Sequence, residues 1–102
     1  MKFINLTPHS IMLNNGNTYP SEGIARVKDS YTEFDENGIC NVKHGEIENL
    51  PAPRENVTYI VSAMVLTAAK EKGRKDVVAP ATGHPLCTRE KGFIVSVPGF
   101  VQ

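Results

Sequence analysis

The residues whose types could do chemistry cluster in three short stretches. His9 follows Thr7-Pro8, Ser62 stands directly before the apolar run Ala63-Met64-Val65-Leu66, and Thr82-Gly83-His84 follows Val77-Val78-Ala79-Pro80. Hydroxyls, an imidazole and the unpaired amides at a helix start are groups that hold a phosphate or a carboxylate. If the strands ahead of them run parallel, their carboxyl ends bring His9, Ser62, Thr82 and His84 to one crevice, where open sheets with parallel strands bind ligands. The competing reading is that Ser62 only caps a helix and Thr7-Pro8-His9 is only a turn.

A fourth group is Arg74-Lys75-Asp76. A guanidinium can grip a phosphate with two donors, and Asp76 could orient it or accept from a ribose or base. A solvated turn after the helix is the alternative, and Lys75 fits it. Arg26, Arg54 and Arg89 are further cations that spacing alone does not rank.

Signatures of catalysis are missing. There is no HExxH, no GxSxG, no Gly-rich phosphate loop and no carboxylate pair in a metal-like setting around histidines 9, 44 and 84. Asp35-Glu36-Asn37-Gly38 lacks the alternating ligands and the terminal glutamate of a calcium loop and reads as a hairpin turn. Ser62 with His9 or His84 is a conceivable nucleophile pair, but a capping serine already has its oxygen engaged. Cys40 and Cys87 have no partner at metal or redox spacing and read as small buried hydrophobes. No cofactor and no metal are expected, and an enzyme is the least favoured class.

The elements that must position these residues belong to a short chain. Its 102 residues are 40% hydrophobic, which suits one domain over residues 1–102. Eleven Lys plus Arg balance eleven Asp plus Glu, which removes the electrostatic case for duplex nucleic acid or an anionic membrane. No apolar leader core opens the chain, and no window approaches the ~18 apolar residues of a membrane helix, so a cytoplasmic location is expected.

Residues 2–6 read as a strand ended by Pro8. Ile11-Met12-Leu13 and Thr18-Tyr19 flank Asn14-Asn15-Gly16-Asn17, with Asn15-Gly16 as the positive-φ pair of a tight hairpin. A half-exposed strand within 24–34 turns at Asp35-Gly38 into Ile39–Val42, a second hairpin. Residues 43–56, polar apart from Ile47 and Leu50, read as a loop. Val57–Val61 is a β-branched and aromatic strand. Ser62 caps a helix to Lys72 with Gly73 as its C′ residue, apolar nearly all round in its first two turns and so expected to be covered on more than one side. Asp76–Pro80 and Phe93–Val97 complete the strands. The expectation is a small α+β (or α/β) fold, a compact mixed sheet with hairpins and one principal helix at about 62–72 in a strand-helix-strand unit.

Four segments, Ile4-Asn5-Leu6-Thr7-Pro8-His9, Tyr59-Ile60-Val61-Ser62, Arg74-Lys75-Asp76-Val77-Val78-Ala79-Pro80 and Gly92-Phe93-Ile94-Val95-Ser96-Val97-Pro98-Gly99-Phe100, together resemble a group of small phage, prophage and bacterial proteins. The resemblance spans both ends of the chain, while residues 14–56 match less well. It implies a setting and no mechanism. Small phage domains without catalytic motifs are often binders, and one class sequesters cyclic-nucleotide signals of bacterial immunity. That class is similar in size, setting and a possible anion crevice, without a shared motif.

The leading expectation is therefore a non-enzymatic, phage-encoded, anti-defence binder of a small anionic nucleotide-like ligand, forming a homo-oligomer in the host cytoplasm. It would use Thr7, His9, Ser62, Arg74, Asp76, Thr82 and His84 for the ligand, and one of Tyr19, Tyr31, Tyr59 or Phe100 as a stacking surface. Arg74→Ala is then expected to weaken binding and leave melting unchanged. The second expectation is a protein-interaction or structural module of a phage that uses the tail Val97–Val101. The third is a small hydrolase acting on a phosphorylated ligand.

Overall fold

A computed structural model describes residues 2–102, with the side chains of Lys43 and His44 outside that description. In chain order the elements are β1 (Lys2–Asn5), β2 (Ile11–Met12), β3 (Thr18–Tyr19), β4 (Arg26–Tyr31), β5 (Val42–Glu48), β6 (Val57–Ile60), α1 (Ala63–Glu71), β7 (Val77–Pro80), β8 (Thr88–Glu90), β9 (Phe93–Ser96) and β10 (Phe100–Val101). β1, β6, β7 and β10 form one mixed sheet in that order, and the other strands pair as the hairpins β2–β3, β4–β5 and β8–β9. This is a small α+β fold. β1, β6 and β7 run parallel, and β10 closes the edge antiparallel to β7.

Burial of the central strands on both faces explains their largely apolar sequence. Tyr59, Val61, Val77 and Ala79 face α1, which buries Val65, Leu66 and Ala69 against them. Ile60 and Val78 point the other way, toward Ile11, Val97, Tyr19 and Phe100. Phe3, Tyr19 and Phe100 meet there as an aromatic trio with ring centroids 5.2 to 5.7 Å apart. The tail is thus part of the sheet and its core, where the sequence reading ends its last strand before Pro98.

The helix obeys its local signals. Ser62 is the N-cap, and Gly73 at φ +80° lets the chain leave through a Schellman turn, with Gly73 N–H donating to the Lys70 carbonyl and Arg74 N–H to that of Ala69. Its coverage is narrower than its composition suggests, because Ala63, Met64 and Thr67 are exposed while the opposite stripe packs on β7 and the β4–β5 hairpin.

Three hairpins show how turn chemistry sets register. At 13–17 the Gly16 amide donates to the Leu13 carbonyl and the Leu13 amide to Asn17, so only Gly16 takes positive φ and the loop is a three-residue turn with a bulge in place of a two-residue Asn-Gly turn. Asp35 to Ile39 repeats this geometry around Gly38. Lys91-Gly92, both at positive φ, joins β8 to β9 in two residues.

The expected loop over 43–56 begins later than its composition suggests, since residues 42–48 are β5. β5 pairs with β4 by backbone bonds, and Ile47, beside Val27, is its one apolar anchor on the core. Two residues, Gly45 and Glu46, stand opposite Lys28 alone in a bulge; a Cβ on Gly45 would run into the Lys28 carbonyl. The far part of this hairpin, residues 31–39, is exposed throughout. It stretches the molecule to 52 × 38 × 19 Å with a radius of gyration of 15.7 Å, against about 13 Å for a chain of this length. No helix among the described residues is long and apolar enough to cross a membrane.

Candidate functional site

A hollow of about 440 Å³ opens at the carboxyl ends of β1, β6 and β7. Thr7, His9, Ser62 and Thr82 all line it. The parallel register brings them together, because Asn5 aligns with Ile60 and Ile60 with Val78, so the residues that leave these strands emerge side by side. His84 is not among the lining residues. Its Nδ1 accepts from the Leu86 amide in an exposed turn, which takes it out of the cluster.

The wall at Thr7 and His9 is built by Asn5, whose side chain is fully buried. Its amide nitrogen donates to the carbonyls of His9 and Tyr19, each at 2.8 Å. Its Oδ1 accepts from the Thr7 amide at 2.9 Å and lies 2.6 Å from the Thr7 hydroxyl, which also sits 2.9 Å from the His9 carbonyl. Every polar atom of Asn5 is therefore used, as burial requires. Thr7 is consequently a buried structural group whose hydroxyl holds the turn, while the His9 side chain is exposed and lines the hollow.

Opposite stands the start of α1. Ser62 Oγ accepts from the Val65 amide at 3.4 Å, and no acidic residue occupies the first turn. Free amides and the positive end of the helix dipole favour an anion here. None of the lining residues is Asp, Glu, Lys or Arg, so an anion would meet hydroxyls, amides and His9 without a fixed opposing charge. No hydrogen bond joins Ser62 to His9 or His84 among the described residues, and the serine oxygen serves the helix.

Arg74 and Asp76 belong elsewhere. They flank the amino end of β7, the opposite end of the sheet from the hollow. Arg74 Nε donates to Asp76 Oδ1 at 2.9 Å, Nη2 to Oδ2 at 2.8 Å, and Nη2 also to the Pro51 carbonyl at 2.8 Å. The hydrogen bonds from Arg74 hold the Asp76 carboxyl below its ordinary range, against a smaller upward push from burial, and those to Asp76 raise the guanidinium in turn. With three of its five donors on Asp76 and Pro51, Arg74 pins the 49–56 loop, and the structure places this pair apart from the hollow at the other end of the sheet.

The remaining wall escapes the sequence reading. Met12, Ile94, Val95 and Ser96 face the hollow from β2 and β9. They arrive through a link between distant segments: the Val97 amide donates to the Met12 carbonyl, the Asn14 amide to that of Val97, and Ser96 Oγ lies 2.6 Å from Asn14 Oδ1. Nothing local in the sequence signals that bridge. Among the stacking candidates, Tyr59 is fully buried with its hydroxyl on the Ala52 carbonyl, Tyr19 and Phe100 are locked in the aromatic trio, and Tyr31 is exposed on the arm.

Comparison with protein-family models, with curated proteins and with solved structures returns no match to this chain.

Proposed function

We propose that the hollow takes a small ligand bearing an anionic group and an apolar, nucleotide-like part, and that the protein holds this ligand without converting it. The carrying observation is the convergence of His9, Ser62 and Thr82 at the amino end of α1 in a cavity without a carboxylate. Its volume lies within the ~300 to 1,000 Å³ range of small-molecule sites, and Met12, Ile94 and Val95 offer apolar contact for a base or similar ring. Together with the resemblance to phage and prophage proteins, this favours sequestration of a cyclic-nucleotide immune signal in the host cytoplasm.

The test is calorimetric titration and thermal shift with cyclic mono- and dinucleotides and cyclic ADP-ribose isomers, followed by analysis of the recovered ligand. Saturable binding with the ligand returned intact supports holding; a changed product identifies an enzyme, and silence across the panel removes the reading. The second reading, a protein-interaction module, draws on the exposed apolar residues of the β4–β5 arm.

A further inference from the structure

Of the three arginines that spacing does not rank, the fold brings one to the hollow. Arg26 opens β4 opposite Glu48 on the arm, and Arg54 stands ahead of β6, at the end of the sheet away from the hollow. Arg89, on β8, is at the mouth of the hollow on two separate observations. Its Nη2 donates to the Thr82 carbonyl at 3.1 Å, and Thr82 lines the hollow. Its cross-strand partner is Ile94, a second lining residue, and directly opposed residues of an antiparallel pair project from the same face. The next pair, Glu90 with Phe93, projects from the other face, where Phe93 is 77% exposed. The register shifts at Val95, which has no opposite residue, and bulges of this kind re-aim side chains beside sites. Ile94, Val95 and Ser96 all line the hollow, where a regular strand would present alternate residues.

Arg89 differs from Arg74 in what it has left to give. Arg74 grips a carboxylate, whereas Arg89 is exposed and makes no ion pair among the described residues. One of its donors is committed to the Thr82 carbonyl, and a guanidinium with one fixed anchor and further N–H groups to offer is organised to take a phosphate as a fork. No carboxylate lines the hollow to cancel its charge. The amino end of α1 has the same sign, so both concentrate negative charge in one place. We propose that Arg89 is the charged contact of the hollow: its guanidinium takes the phosphodiester of a nucleotide-like ligand at the rim, beside Thr82, while the nucleoside part lies on Ile94 and Val95. This deepens the ligand reading of the hollow and rests on it.

NMR titration with probes that differ in charge tests it. Cyclic AMP and cyclic di-AMP carry the phosphodiester, and adenosine is the uncharged control. In Arg89→Gln the association constant of the charged probes should fall at least about tenfold, the worth of a hydrogen bond to a charged group, with that of adenosine unchanged. Arg89→Lys, which keeps the charge and loses the fork, should recover part of the loss. Arg54→Gln, equal in charge change, should bind as the wild type does. The wild-type protein gives a reading that no folding defect disturbs: the Arg89 Nε–H resonance should shift with the charged probes together with the amides of His9, Ser62 and Thr82, while those of Arg26 and Arg54 stay still. Shifts at the three amides without one at Arg89, or equal losses of adenosine and the charged probes in Arg89→Gln, would overturn the Arg89 assignment and leave the hollow as the ligand site. A shift at Arg89 alone would put the anion outside the hollow and overturn it as well. No shift at any of the four residues with either charged probe would overturn the ligand reading, and this assignment with it.

Discussion

Arg74 meets Asp76 side on, with Nε to Oδ1 at 2.9 Å and Nη2 to Oδ2 at 2.8 Å, and the same Nη2 reaches the Pro51 carbonyl. One side chain thus ties the entry of β7 to the loop that crosses toward β6. A bidentate pair with a fixed third partner is better organised than an ordinary surface ion pair, whose contribution is close to nil.

Arg74→Ala is accordingly expected to lower stability by about 1 kcal/mol, or roughly 4 to 8 °C of melting temperature for a domain of this size. Ligand affinity at the hollow should not change. The pH dependence follows from the lowered Asp76 pKa: the pair's contribution is complete above the ordinary aspartate value of about 3.9 and disappears as pH falls through the lower folded value. Denaturant midpoints of wild type and Asp76→Asn should therefore differ at about pH 6 and converge as pH falls through the lowered Asp76 value. A constant gap across that range would show that Asp76 acts by something other than its charge.

Asn5 makes a sharper case, because its amide is fully buried and bonded at both ends. Asn5→Ala strands the carbonyls of His9 and Tyr19 and the Thr7 amide together, with an expected cost of about 3 kcal/mol or more. Urea titration measures it. Thr7→Val, which removes one hydroxyl and leaves the Asn5 amide bonds in place, should cost much less.

How far the sequence discloses this arrangement depends on the range of the interactions. Ser62 and Gly73 bound α1 through chemistry confined to a few neighbouring residues, so both ends of the helix are readable. The three strand ends converge because a strand-helix-strand unit places β6 and β7 parallel, and β1 then adds in the same sense. β5 is hidden because Lys43-His44-Gly45-Glu46 offers no apolar alternation, and its pairing with β4 is held by backbone bonds. β10 is too short to show a pattern, and its burial depends on Phe3 and Tyr19, some eighty to a hundred positions away. Arg74 is ambiguous for a related reason: its type fits a phosphate as well as a carboxylate, and only the fold shows that it holds Asp76 and the Pro51 carbonyl away from the hollow.

Gly45 tests the bulge directly. Gly45→Ala places a methyl against the Lys28 carbonyl across the hairpin, a backbone obstacle that cannot rotate away. The expected loss is about 1 to 3 kcal/mol, as for overpacking elsewhere, with faster amide exchange over residues 26–48. Gly83→Ala is the control, since nothing lies near its added methyl, and it should stay within about 0.5 kcal/mol of wild type. Equal effects at the two glycines would remove the bulge as an explanation.

At the hollow, binding and stability should separate residue by residue. His9 is exposed and its backbone carbonyl, which Asn5 holds, survives truncation, so His9→Ala should weaken the bound ligand without moving the melting temperature. Ser62→Ala should do both, because the same oxygen caps α1, although the 3.4 Å contact to Val65 puts the stability cost near the lower limit for caps, about 0.5 kcal/mol. Thr82, exposed and donating its amide to the Pro80 carbonyl, keeps that bond in Thr82→Val and should lose only the hydroxyl contact. Titration of a ligand identified by the nucleotide panel against the three variants reads these effects. Three unchanged dissociation constants would move the ligand out of this hollow.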